Sequence, residues 1–334
     1  MREKYRIAID AMGGDKAPST PIEGALRAAR ETGAEIILVG DPISLGDALQ
    51  EQDTDGISIH VQAADGVILE GEHPALGLRK KPNSSIAVCA GLVAKSEADA
   101  MISVGSTGAT MAAAVLNWGL FPGLERPTLG GPFIGLAPNT TIIDLGANVD
   151  SKPSQLLSFA SLGSSFSRFY HGIRSPRVGL LSVGAEEGKG NRLVQDAFSL
   201  MKNSNLRFVG NIEGHEIFED KADVVVCDGF VGNVLLKYTE GLARTAASYL
   251  ARKMGNDSEA VQQIRGLASA AEQGGGPLFG VNGVAIAGHG SSSLEGIAGA
   301  VKLAINALQR DFVAVMRHDL AQTLAETGPE ETSE

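Results

Sequence analysis

A lysine set among glycines, Gly188-Lys189-Gly190-Asn191, offers a point charge and bare backbone N–H groups at one spot. That combination suits an oxyanion, because the ammonium supplies charge and glycine lets the backbone approach closely. The run from Val183 is not a Walker A loop. Only three residues separate Gly184 from Gly188, and Gly190 stands where Ser or Thr would hold magnesium. A second anion site is offered by Gly288-His289-Gly290-Ser291-Ser292-Ser293-Leu294-Glu295. Ser292 and Glu295 have capping-box spacing, so a helix is expected to open there, its free N–H groups facing an anion. His289, just before it, can act as a general acid or base or as an anion donor.

Both stretches belong to a recurring pattern of polar, glycine-bearing turns that follow apolar runs. Ile9-Asp10-Ala11-Met12-Gly13-Gly14-Asp15 is the clearest; Ser103-Val104-Gly105-Ser106-Thr107-Gly108, Asp144-Leu145-Gly146-Ala147-Asn148-Val149-Asp150 and Asp228-Gly229-Phe230-Val231-Gly232-Asn233 complete the set. Each reads as a strand breaking at its carboxyl end, the edge where open α/β sheets bind ligands. Asn148 and Asp150 precede Pro153, and Ser106 with Thr107 open another helical run. No His, Cys and carboxylate set has metal-ligand spacing, and no GxSxG elbow is present. Neither a catalytic zinc nor a serine acyl-enzyme is expected.

The elements that must position these groups alternate. Strands are expected at 6–10, 35–39, 57–61, 100–104, 133–136, 141–145, 177–183, 207–209, 223–227 and 284–287. Helices are expected at 20–31, 84–95, 107–118, 153–170, 191–202, 231–253, 259–273 and 294–324. Alternation implies an α/β fold with a mostly parallel sheet sandwiched by helices. Residues 133–145 read as a hairpin turning at Ala137-Pro138-Asn139. The helices at about 231–273 form a protruding pair turned at Gly255-Asn256-Asp257-Ser258, with apolar positions suited to a packed hairpin or a dimer seam. Residues 1–328 read as one catalytic domain and 329–334 as an acidic tail.

The chain has 334 residues and a net charge of −11, which argues against general nucleic-acid binding. Arg79-Lys80-Lys81 is its densest basic cluster. Cys89 and Cys227 are far apart and outside any CxxC motif, as expected of buried thiols in a reducing compartment. Residues 1–20 lack the pattern of a signal peptide, and no apolar run reaches the about 18 residues of a membrane span. A cytoplasmic protein is expected.

Taken in order, Ile9 to Asp15, Leu78-Arg79-Lys80-Lys81-Pro82-Asn83-Ser84-Ser85, Leu145 to Asp150, Glu186 to Asn191, Gly210-Asn211-Ile212-Glu213-Gly214, Val226 to Asn233 and His289 to Ser292 resemble the PlsX family of bacterial phosphate acyltransferases. The resemblance covers nearly the whole chain. It implies a fold similar to phosphotransacylases and isocitrate or isopropylmalate dehydrogenases, and a homodimer. It implies transfer of a fatty acyl group from acyl carrier protein to inorganic phosphate. The acyl-phosphate formed would feed a membrane glycerol-3-phosphate acyltransferase in phospholipid synthesis. No metal or organic cofactor is expected.

Under that chemistry Lys189, Asn191, Asn233 and His289 are the candidate catalytic groups. Asp10, Gly13, Gly14, Asp15, Ser106, Thr107, Asn148, Asp150, Gly188, Gly190, Asp228, Gly290, Ser291 and Ser292 are candidates for binding substrate. Arg79, Lys80 and Lys81 are candidates for docking the acidic carrier protein. Related proteins carry apolar, membrane-touching residues at the tip of the helix pair. The tip here is polar, so at most weak, salt-sensitive attachment to the inner face of the membrane is expected. Two other readings stand beside this one. A metal- and NAD-dependent decarboxylating dehydrogenase of the same broad fold would use Asp144, Asp150 or Asp228 for magnesium. A non-catalytic scaffold would carry acyl carrier protein to the membrane enzyme.

Overall fold

The computed structural model describes residues 4–133, 137–256, 258–272 and 275–327. In chain order the elements begin β1 (Arg6–Asp10), α1 (Ser19–Thr32), β2 (Glu35–Gly40), α2 (Pro42–Gln50), β3 (Ile59–Ala63), α3 (Pro74–Lys80), α4 (Ser85–Ala94), β4 (Ala100–Ser103) and α5 (Thr107–Trp118). They continue with β5 (Thr128–Phe133), β6 (Ala137–Ile143), α6 (Pro153–Tyr170), β7 (Val178–Leu181), α7 (Arg192–Lys202) and β8 (Phe208–Ile212). A 3₁₀ turn (Gly214–Phe218) leads to β9 (Val224–Val226), α8 (Gly229–Met254), α9 (Glu259–Glu272), β10 (Gly276–Phe279), β11 (Val284–Ala287), α10 (Leu294–Gln309) and α11 (Phe312–Thr327).

The chain divides into two compact units, one of residues 1–120 and 272–313, the other of residues 121–271 and 314–334. In the first, the sheet order is β3-β2-β1-β4-β11-β10, parallel except for the β10–β11 pair. Its central strands are buried on both faces: Ile7, Ala8, Met101, Ile102 and Ile286 have no exposed surface. Aliphatic strands covered on both faces are what a parallel sheet requires. Helices α1 and α10 pack together at Gly24, where a Cβ would stand 2.7 Å from Ile297 Cβ.

In the second unit the order is β5-β6-β9-β7-β8, parallel except for the β5–β6 hairpin. Helix α6 is buried along most of its length and lies against this sheet at Gly163, next to Val224 and Ile143. Leu156, Leu157, Phe159, Leu162 and Phe166 fill its core side. Each such side chain contributes roughly 1.5–3 kcal/mol on burial.

The mostly parallel α/β architecture matches the expectation, and α5 and α6 have the expected limits. Several details differ. The hairpin lies earlier than expected: Ala137, Pro138 and Asn139 open strand β6 rather than forming the turn. The single helix expected over 294–324 is two helices. Arg310 ends α10, and Asp311, at φ 49°, redirects the chain before α11. Helices α2 and α3 and strand β10 were not expected. Strand β8 reaches Ile212, three residues past its expected end. Asp257 and the expected acidic tail, 329–334, lie outside the described residues. Among the described residues, no helix is long and apolar enough to cross a membrane, and both cysteines are free and buried.

Candidate active site

In the first unit, β1, β4 and β11 are parallel neighbours, so their carboxyl ends bring three expected loops to one edge. The loops are fitted closely. Asp15 N–H donates to the Gly290 carbonyl at 2.8 Å, and Gly288 N–H donates to the Ser103 carbonyl at 2.8 Å. A Cβ on Gly13 would stand 2.7 Å from Gly105 N, and one on Gly14 would stand 2.9 Å from Val104 Cγ2. Gly14 also has φ +93°, so glycine is required there for both room and conformation.

Asp10 lies beneath this edge, 3% exposed. Its Oδ2 accepts from Ser103 Oγ at 2.8 Å and its Oδ1 from Met12 N–H. Burial pushes its carboxyl above the usual range, against the pull of those hydrogen bonds. Asp10 therefore braces the Gly13–Gly14 turn rather than facing outward, whereas Asp15 is exposed. His289 is exposed, and its Nδ1 is 2.8 Å from Ser291 Oγ. Ser292 is buried, and its Oγ accepts from His289 N–H. The cap of α10 is Ser293, which accepts from Gly296 N–H, and not Ser292 as the spacing suggested. Ser106 caps α5 by accepting from Ala109 N–H, and Thr107 is the first residue of that helix.

In the second unit, β6, β9 and β7 are adjacent and parallel. The exits of β6 and β9 interlock. Asp144 is fully buried, and its carboxylate accepts from the N–H groups of Gly146 (3.0 Å), Ala147 (2.8 Å) and Asn148 (2.7 Å), and from Asn148 Nδ2 (2.8 Å). Burial nevertheless holds its carboxyl above the usual range. Asn148 is 2% exposed and its amide also donates to the Pro127 carbonyl. It shapes the loop from within; Val149 and Asp150 are the exposed residues at its end. Gly229 N–H donates to the Asn148 carbonyl at 2.7 Å, which ties α8 to the same loop. Asp228 caps α8 through Val231 N–H, and exposed Asn233 packs beside Gly146. Two of the aspartates nominated for magnesium, Asp144 and Asp228, are thus engaged by backbone N–H groups.

The loop after β7 carries Lys189. Its turn is closed by Lys189 N–H donating to the Glu186 carbonyl, and Gln195 Nε2 holds the Gly188 and Gly190 carbonyls at 2.9 and 3.0 Å. The lysine stem runs across Gly184, whose Cβ would stand 2.9 Å from Lys189 Cγ. Gly190, at φ +96°, turns the chain into Asn191, which caps α7 through Val194 N–H. Lys189 is exposed, and among the described residues its ammonium has no ion-pair partner. Glu187, by contrast, is paired with Lys202.

The basic trio is not uniform. Arg79 and Lys80 are exposed in the last turn of α3. Lys81 donates to Glu72 (2.7 Å) and to the Val67 carbonyl (2.8 Å). One grouping went unforeseen: His215, Glu216 and Glu219 hold ligand-type atoms within 4.8 Å of one another. Glu216 is already engaged there by Glu213 N–H and Lys221.

The family model described as "Fatty acid synthesis protein" matches residues 5–315. The phosphate acyltransferase of Heliobacterium modesticaldum is 41% identical over 326 residues, covering 94% of this chain and 97% of that protein. Among solved structures, a phosphotransacetylase from Streptococcus pyogenes aligns with a TM-score of 0.61 at 18% identity, over 92% of this chain and 95% of that one. A 4-hydroxythreonine-4-phosphate dehydrogenase from Klebsiella pneumoniae aligns with a TM-score of 0.55 at 13% identity, over 92% and 99%. The structural likenesses bear on fold alone. The sequence matches go further: this chain belongs to the PlsX family of fatty acid synthesis proteins, the family of the phosphate acyltransferases.

Proposed function

We propose that the protein transfers a fatty acyl group from acyl carrier protein to inorganic phosphate. A phosphate oxygen attacks the thioester carbonyl carbon, and the carbonyl electron pair moves onto its oxygen. The tetrahedral intermediate collapses by breaking the C–S bond. Acyl-phosphate and the carrier thiolate leave. A thiolate is a good leaving group, so catalysis rests on orienting phosphate and stabilising the oxyanion.

The observation that carries this reading is Lys189: a lysine without an ion-pair partner among the described residues, on a glycine-bearing strand exit, in a chain of this family. In this reading Lys189, the backbone of Gly188 and Gly190, and Asn191 hold phosphate. His289 is a further catalytic candidate, and Gly13, Gly14, Asp15, Ser106, Thr107, Gly290, Ser291 and Ser292 are further candidates for binding substrate. Asn233, Asp150 and Asp228 orient the nucleophile, while Asp10 and Asn148 shape their loops. Arg79 and Lys80 dock the carrier protein.

The product would serve a membrane glycerol-3-phosphate acyltransferase, which places the protein in the cytoplasm, at most weakly attached to the membrane. The homodimer is supported by exposed Phe230, Val234, Tyr238 and Leu242, spaced four apart along α8. The reading is tested by incubating purified protein with palmitoyl-(acyl carrier protein) and phosphate, without added metal, and measuring acyl-phosphate. Absence of product, or reduction of a nicotinamide cofactor instead, would overturn it.

A further inference from the structure

The motif Gly210-Asn211-Ile212-Glu213-Gly214 carries a family resemblance but no assigned role, and the structure puts its asparagine beside the lysine loop. Strands β7 and β8 pair in parallel, with Val178 opposite Phe208 but Gly179 opposite Gly210. Val209 is therefore an extra residue, and Gly210 takes φ +99°. Such bulges re-aim the side chain that follows and recur next to active sites. Gly179 makes the irregularity possible, since a Cβ there would fall 2.2 Å from Ile212 Cγ1.

The re-aimed side chain is Asn211, 5% exposed. Its Nδ2 donates to the Glu186 carbonyl at 2.8 Å. That carbonyl also accepts from Lys189 N–H at 3.0 Å. One oxygen thus receives both the strand's side chain and the backbone of the lysine. Gln195 holds the far side of the same loop through Gly188 and Gly190. Asn211 Oδ1 is buried with no partner among the described residues, so Nδ2 is the atom that links this side chain to the loop.

We infer that Asn211 is a positioning residue for phosphate, acting by fixing the Glu186–Lys189 turn from which the lysine ammonium projects. The inference rests on the proposed phosphate role of Lys189. It concerns placement: a shift of about 1 Å in a charged group can cost on the order of 10²-fold in rate.

The test is a double-mutant cycle on the full-length protein, read as kcat and KM for phosphate and for palmitoyl-(acyl carrier protein) separately. Asn211→Ala is expected to lower kcat/KM for phosphate by about 10- to 100-fold while leaving the carrier-protein KM within about twofold. Asn211→Asp, equal in size but lacking the donor, should lose as much. Adding Asn211→Ala to Lys189→Ala should cost less than about threefold more, because both act on one group.

If Lys189→Ala impairs phosphate use but Asn211→Ala is silent, or fully additive with it, the inference alone falls. If Lys189→Ala is itself silent, the phosphate reading of the loop falls and takes the inference with it. Melting temperatures distinguish a structural role. A loss shared equally by both substrates and tracking a lowered melting temperature in Asn211→Asp overturns the positioning role; a phosphate-selective loss at unchanged melting temperature supports it.

Discussion

Gly232 lies against the Asp144 backbone so closely that a Cβ on it would fall 1.8 Å from the Asp144 carbonyl oxygen. The first turn of α8 can therefore pack on the β6 exit only with glycine at this position, and the contact holds Asn148 and Asp228 in one cluster.

Gly232→Ala is accordingly expected to destabilise the protein by about 1–3 kcal/mol or more, the cost of overpacking a fitted contact. It should lower activity beyond that loss, since the Asp144 loop must move. Gly241→Ala, on the same helix with nothing within 4 Å of its would-be Cβ, is the control and should leave the melting temperature unchanged or raised. Equal melting temperatures for Gly232→Ala and the wild type would contradict this account of the loop.

Carrier-protein docking should separate within the basic trio. Arg79→Glu with Lys80→Glu is expected to raise the carrier-protein KM severalfold and to remove part of its salt dependence, leaving kcat nearly intact. Lys81→Glu should lower stability instead, by breaking its contacts with Glu72 and the Val67 carbonyl. A carrier-protein KM unmoved by the double reversal would make Arg79 and Lys80 an ordinary solvated helix end.

The Arg177–Asp223 pair gives a pH signature. Burial raises the Asp223 carboxyl, but Arg177, through its guanidinium and its backbone N–H, pulls it net below the ordinary value. A carboxyl lowered in the folded state contributes stability above its unfolded pKa of about 4 and loses it as pH falls through the folded value. Asp223→Asn should therefore melt below the wild type at pH 7, with the gap closing as pH falls below the unfolded pKa of about 4. A gap independent of pH would assign the pair no electrostatic share.

Dimer formation should depend on α8. Replacing both Tyr238 and Leu242, which are 67% and 55% exposed, with glutamate is expected to give a folded monomer by light scattering. A dimer that persists at low micromolar concentration would move the seam elsewhere.

The fold was legible where local chemistry and packing agree. Asp10, Ser103, Val226 and Ala287 end apolar runs before glycine-rich turns, and those runs are parallel strands. Other features had no local signal. The break at Arg310–Asp311 interrupts an apolar pattern that continues on both sides without Pro or Gly. The β5–β6 hairpin was misplaced because Ala137-Pro138-Asn139, read as its turn, open strand β6, while Gly130, Gly131 and Pro132 pair within β5. Lys189, Asn191 and Asp228, read from the sequence as site candidates, lie at strand exits, Lys189 exposed and the other two capping helices. Asp144, Asp10 and Asn148 looked like ligands, because a buried polar side chain hydrogen-bonded within its own loop and one that binds substrate have the same letters. Asn211 was seen only as part of a motif; its aim depends on a bulge that becomes visible once Gly179 and Gly210 are paired.

Acyl transfer to phosphate at the Lys189 loop is the reaction to be measured. The most direct measurement supplies ³²P-labelled phosphate and palmitoyl-(acyl carrier protein), without added metal, and follows label into an acyl-phosphate identified by mass. Product formation is expected from the wild type, with a loss on the order of 10²-fold or more in Lys189→Ala. Wild-type turnover by Lys189→Ala at saturating phosphate, or no labelled acyl-phosphate from the wild type, would contradict it.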